Sequence, residues 1–363
     1  ILKEHLASII IPMDLSNEKT IHTKNQYWEL QSLTNTRKKN QLLQSDILPN
    51  PPEFCIQINL AACEAGDFNR CLYLIEALAM QENGTLVFPR DPNSLLGWKN
   101  ADNTLRNRIA SVAVNYLESA VPPNDEVLLQ NSRTFSQAAC GLAVAIVADT
   151  DNLQRLSNEH LSRWCLVVVT HFFDQRETQQ QIFCQVRSIV PEAFDIAVLK
   201  RADQEAKAGN IHILESCEEI WHPSFLQHLA VNRLNSPDWP FYCRLRLAEL
   251  LIRNKVNGVI EQLIDWLIAE LDSSNRCAIW KTLFLNALNQ TWPIFQKLLT
   301  TEIELAREVI LAVAYNARRG TGIHPKLDVE QLGWLYEKIR SLFPLMEDPL
   351  IPNHAYSPTP RHE

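Results

Sequence analysis

Glycine is scarce in this sequence, nine residues in 363, and that shortage constrains the fold more than any other feature. Primed hairpin turns, β-bulges and phosphate-cradling loops all draw on glycine's access to positive φ. A chain this poor in glycine favours helices over sheets. One local device recurs three times: Trp221-His222-Pro223-Ser224-Phe225, Asp238-Trp239-Pro240-Phe241 and Thr291-Trp292-Pro293-Ile294-Phe295. Proline belongs in the first turn of a helix, where its missing N–H would have had no partner. Asp238 and Thr291 are placed to cap neighbouring donors. Each tryptophan then packs on a neighbour as its helix begins. The fold class expected is all-α: an α-solenoid of stacked antiparallel helix pairs, like HEAT or tetratricopeptide arrays.

The pattern along the chain divides it in four. Residues 1–52 form an irregular segment or linker, with an apolar run Leu6 to Met13, a basic triplet Arg37-Lys38-Lys39 and a break at Pro49, Pro51 and Pro52. Residues 53–220 are the first half of the array. Phe54, Ile58 and Ala61/Ala62 make one stripe, the turn Ala65-Gly66-Asp67 follows, and Leu72, Ile75, Leu78 and Ala79 make the next. Residues 81–97 read as a loop long enough to carry function or to move. Helices are expected over Asn103 to Ala120, Phe135 to Ala148, Ser157 to His171, Thr178 to Ile189 and Pro191 to Lys207. Phe135 to Ala148 is apolar nearly all round and should be central. Val167, Val168 and Val169 hint at a strand, but their flanks are helical.

Residues 221–343 are the second half, with helices over Pro223 to Leu234, Trp239 to Asn254, Val259 to Leu271, Ser274 to Asn289, Trp292 to Leu299, Ile303 to Tyr315 and Leu327 to Phe343. In the second of these Phe241, Leu245, Ala248 and Ile252 share a face. Leu142, Ile146, Trp164, Leu245, Leu267, Leu283 and Leu335 should be buried. Residues 344–363 are a Pro-rich tail.

Composition narrows the chemistry. Forty-two acidic against 34 basic residues give a formal net charge of −8, which disfavours general nucleic-acid binding. Nine cysteines are scattered without a C-x-x-C, as suits buried thiols in a reducing cytoplasm. The N-x-T sequons at Asn83 and Asn289 are read as chance, no run of ~18 apolar residues suggests a membrane span, and the start at Ile1 is read as a fragment or processed product. No phosphate loop, dinucleotide fingerprint, zinc-protease helix or nucleophile elbow occurs, so no catalytic residue and no cofactor is assigned.

Cys217, His222 and His228, with Cys243, are the best metal candidates. Two histidines six apart do not share a helix face, so the plain reading is a buried thiol and two polar-face imidazoles. Cys165 with His171 has the same fault. The loop 317–326 gathers Arg318, Arg319, His324 and Lys326 around two glycines. Arginine there suits an acidic partner, and equally complements the dipole of the preceding helix end.

The C-terminal residues carry a resemblance. Asn289-Gln290-Thr291-Trp292-Pro293-Ile294, Ala306-Arg307-Glu308-Val309-Ile310, Leu327 to Tyr336, Phe343-Pro344 and Glu347-Asp348-Pro349 together resemble the helical-repeat region of bacterial NACHT-type STAND NTPases. It covers roughly residues 238–360, and the family's Walker A and Walker B residues have no counterpart here. The resemblance implies a non-enzymatic, cytoplasmic sensor region. Its partners would be a protein or other macromolecular trigger and an NTPase module upstream in the same polypeptide, with a role in antiviral defence. A scaffold that holds a protein complex together, or an enzyme with an unrecognised site in the 81–97 loop, are the other classes.

Overall fold

A computed structural model describes residues 52–81, 84–88, 90–130, 134–171, 173–216, 218–270, 272–318 and 327–344. Among them are sixteen α-helices, and the only β pairing is an isolated bridge between Met80 and Leu86. The expected irregular segment before residue 52 and the Pro-rich tail from residue 345 lie outside the described residues.

The first helices are α1 (Pro52–Glu64), α2 (Arg70–Ala79), α3 (Leu96–Asn100), α4 (Asn103–Ser119) and α5 (Asp125–Leu129). Then come α6 (Phe135–Asp149), α7 (Asn158–Thr170), α8 (Arg176–Ile189), α9 (Pro191–Lys207) and α10 (His212–Ser216). The last are α11 (Pro223–Asn232), α12 (Phe241–Arg253), α13 (Val259–Ala269), α14 (Ser273–Thr301), α15 (Ile303–Arg318) and α16 (Val329–Leu342). Their starts are written in side-chain chemistry. Asp102 accepts the Leu105 N–H at 2.7 Å, Asn124 that of Val127 at 2.9 Å, Ser157 that of His160 at 3.2 Å and Asp272 that of Asn275 at 2.8 Å. Thr134 with Gln137 and Asp328 with Gln331 form reciprocal capping boxes, each satisfying two donors that the helix cannot. Gly66, at φ 100°, ends α1: Asp67 N–H reaches back to Ala62 O at 3.0 Å, a closure that needs a left-handed residue.

Helices pack chiefly on helices one or two places away in the chain, the short α3 and α5 aside: α1 on α2 and α4, α6 on α4 and α7, α9 on α7 and α8, α14 on α12, α13 and α15. In the first half everything converges on α6, whose residues Ala138 through Ala148 are all buried. The indole of Trp164 donates to Leu117 O at 2.8 Å, and that of Trp98 to Asp149 Oδ2 at 3.1 Å. Both tryptophans are fully enclosed. The seven residues expected in the core, Leu142, Ile146, Trp164, Leu245, Leu267, Leu283 and Leu335, are all buried. Val167 to Val169 lie buried within helix α7, because packing against α6 overrides their β propensity.

Four expectations need correction. The buried stripe of α1 is Ile56, Leu60 and Cys63, whereas Phe54 and Ile58 are each 49% exposed. Both faces of α1 carry apolar residues at helical spacing, and periodicity alone did not choose between them. Asp238 caps nothing: α12 begins at Phe241 with Pro240 at the cap position. Trp239 instead turns its indole N–H to Asp203 Oδ1 at 2.9 Å. Residues 81–97 are a partly built segment, containing a 3₁₀ turn at Pro92–Ser94 and the start of α3.

The fourth concerns Thr291 and Pro293. No new helix starts there. α14 runs through from Ser273 to Thr301 with Pro293 inside it and a kink at Ala287 (φ −143°, ψ 21°). Pro293 has no N–H for the carbonyl four residues back, which bends a helix rather than ending it when both halves are packed. The buried Thr291 hydroxyl donates back to the Ala287 carbonyl one turn earlier at 3.0 Å, the usual bond of a threonine inside a helix rather than of a cap.

Gly141 marks the tightest approach on α6. A Cβ at this position would fall inside the His171 ring. Gly141→Ala is therefore expected to cost about 1–3 kcal/mol by overpacking, despite alanine's better helix propensity. Urea unfolding of the variant checks this, and equal or higher stability would contradict it.

Candidate functional site

A cleft opens where α8, α9 and the entry to α11 meet. Val190 is the single residue between α8 and α9 (φ −131°, ψ 63°), so the chain turns there without a loop. Pro191 stands at the start of α9 and Pro223 at the start of α11. The cavity, about 500 Å³, is lined by Cys184, Arg187 and Ser188 of α8, Pro191, Glu192 and Asp195 of α9, and Ile220, His222 and Ser224. That volume suits a side chain or a short peptide segment.

Arg187 braces the wall. Its Nε and Nη2 donate to the two oxygens of Asp195 at 2.8 and 3.1 Å, its Nη1 donates to Ile220 O at 2.9 Å, and its guanidinium lies 6.0 Å from the Phe225 ring centre. With three such contacts it is structural and is not free for an incoming anion. His222 Nδ1 accepts the Ser224 N–H at 3.3 Å and sits 2.7 Å from Ser224 Oγ, which puts the ring hydrogen of the neutral imidazole on Nε2. Cys184 is exposed. Glu192 is the one lining carboxylate without an ion pair among the described residues. The Glu192 carboxylate sits in the first turn of α9, where the helix N-terminus favours negative charge. The cleft offers hydrogen bonds to a polar group; its one hydroxyl–imidazole pair, Ser224 with His222, has no carboxylate hydrogen-bonded to the ring among the described residues.

A second place is the 81–97 segment, tied to the turn after α7. Arg90 Nη1 meets Asp174 Oδ1 at 2.7 Å, and His171 Nε2 lies 2.6 Å from Arg90 O. The His171 ring also stands edge-on to Phe173, centroids 4.7 Å apart.

The sequence-derived candidates fare differently. Arg319, His324 and Lys326 lie outside the described residues, and of Arg318 only its backbone place as the last residue of α15 is described. Cys217 also lies outside them. His222 is the cap of α11, His228 is bound to Asn232 at 3.2 Å, and the buried Cys243 thiol points to Ala206 O at 3.8 Å. These three are not brought together, and no metal-holding cluster occurs among the described residues. Cys165 is buried against Leu161 O, away from any contact with His171. No helix among the described residues is long and apolar enough to cross a membrane.

The cleft itself escaped sequence reasoning. Its one local signal was Arg187 and Asp195 flanking the helix junction at Val190-Pro191. Its other wall comes from residues some thirty positions on, which no short spacing announces.

No protein-family model, curated protein or solved structure matches this chain.

Burial separates the thiols chemically. It pushes Cys63 up to about 11 and Cys165 up to about 12, and raises Cys71, Cys140 and Cys243 as well. Three units above the ordinary value leave about a thousandfold less thiolate at Cys165. Alkylation of the native protein followed by peptide mass spectrometry should therefore modify Cys184 well before these five. Equal rates across them would contradict the packing described.

Proposed function

We propose that this chain is a non-catalytic recognition array, the HEAT-like sensor portion of a NACHT-type STAND signalling NTPase acting in cytoplasmic antiviral defence. The observation that carries the reading is the packing of each helix on its near neighbours in sequence. A structure made this way grows by adding helix pairs and presents long rows of side chains to a partner. The C-terminal resemblance supplies the biological setting, and in the α8–α9–α11 cleft Arg187 is taken up by Asp195 and Ile220 O, in keeping with a structural wall. In this account the trigger is a protein or other macromolecule, and the hydrolytic motor is a separate module of the same polypeptide.

Two outcomes test the reading. The coding sequence in frame ahead of Ile1 should contain a G-x-x-x-x-G-K-[ST] phosphate loop. The purified chain alone should turn over no ATP or GTP. Saturable turnover that survives repurification would contradict it.

The basic loop at the end of α15 is proposed as part of the partner surface. In the full-length protein, changing Arg318 and Arg319 together to Ala should weaken trigger binding or signalling, with helicity and Tm unchanged. The wild-type interaction should weaken with salt, because exposed charges are screened over ~8–10 Å at physiological ionic strength. Unfolding of the double variant would make the arginines helix-end structure. Normal signalling by a folded variant would move the recognition surface onto the helices.

A further inference from the structure

Asp91 is only 3% exposed, and its Oδ1 is buried without a hydrogen-bond partner. Its Oδ2 accepts the Asp174 N–H at 2.9 Å. Around it, His171 holds Arg90 O, Arg90 pairs with Asp174, and Ser94 Oγ donates to Asp91 O at 2.6 Å. One side chain thus joins the segment 84–95 to the turn 171–175, two stretches about eighty residues apart in sequence. The same segment carries Leu86, Val87 and Phe88 on its outside, 45%, 42% and 38% exposed, with Phe88 resting edge-on to Phe135 at 6.2 Å. A buried carboxyl with one oxygen unmatched is costly in its ionised form. Here that cost falls on the joint beside an apolar tip that is itself paired to the end of α2 by the Met80–Leu86 bridge and the Val87 N–H to Ala79 O bond.

We propose that Asp91 is a proton-linked latch: with its carboxyl protonated the stretch around Asp91 closes on the turn at Asp174, and ionisation loosens that joint. The groups facing the carboxyl are Asp174, which repels its charge, and Arg90, which attracts it but is shared with Asp174; His171 stands beside them on Arg90 O. Burial is the dominant influence and raises the affinity of Asp91 for its proton above that of an ordinary carboxyl. The closed form therefore holds the proton more tightly than an open form with Asp91 in water. Closure is fully favoured below the ordinary carboxyl range. The advantage is lost as pH rises through the raised value, about tenfold in the opening equilibrium for each unit of difference.

The test is hydrogen exchange of the whole chain from about pH 4 to about pH 8, spanning the carboxyl and imidazole ranges, corrected for intrinsic rates. Peptides covering 84–95 should lose protection as pH rises while α6 does not. Asp91→Asn, a neutral isostere, should hold the segment at its acidic-pH protection with no pH slope. An unchanged slope in Asp91→Asn would overturn the latch. If that variant fails to fold, the sign of the wild-type slope decides: protection that is flat, or that falls toward acid, overturns the proposal.

Discussion

The burial of α6 on all sides is the interaction on which the first half of the molecule depends. Eleven consecutive residues, Ala138 to Ala148, are enclosed, and seven of them are Ala, Gly or Cys. Small side chains let α2, α4 and α7 approach closely, and Val144, Ile146 and Val147 fill the remaining space. Apolar burial contributes roughly 25 cal/mol per Å², so this helix outweighs any polar contact near it. The exposed ion pairs, Arg108 with Glu64 and Lys200 with Asp125 among them, belong to a class worth about 0–1 kcal/mol each. Packing holds the helices together, and the charges adjust how they sit.

Those charges nonetheless follow a pattern that packing does not require. Arg233 clasps Asp203, Arg246 clasps Glu215 and Arg253 clasps Glu218. In each case a basic residue in or just before α12 reaches an acid in α9 or in the two short helical turns that follow it. Glu205 ties Arg201 to the Ile213 N–H in the same region. Such pairs set register, since a one-residue slip would leave several charges without partners. The seam ties α9 and the turns after it to the end of α11 and to α12.

Much of this fold was legible in the residues. The helices expected from Asn103 and Ser157 begin at the Asp102 and Ser157 caps, and the all-round apolar run of α6 announced its central place. What failed was whatever depends on a distant neighbour. The choice of Ile56 over Phe54 on α1 is made by α2 and α4, and the indole of Trp239 finds Asp203 across 36 positions. Two expected helices run on as one in α14, with Thr291 bonding back to a carbonyl inside the helix instead of capping a new one, a role its sequence neighbours do not distinguish from capping. The site was less legible still. The α8–α9–α11 cleft and the Asp91 joint are assembled from segments some 30 and 80 residues apart. The basic loop that local composition did pick out has no described side chains to test it.

The central claim is that these helices form an array stabilised mainly between near neighbours. Equilibrium urea unfolding, followed together by far-ultraviolet circular dichroism and tryptophan fluorescence, tests it most directly. An array of this length should lose cooperativity between its ends. The expected result is two non-coincident transitions whose midpoints shift independently when Leu142 or Leu283 is truncated to alanine. A single transition, coincident by both probes and shifted as a whole by either substitution, would contradict the account.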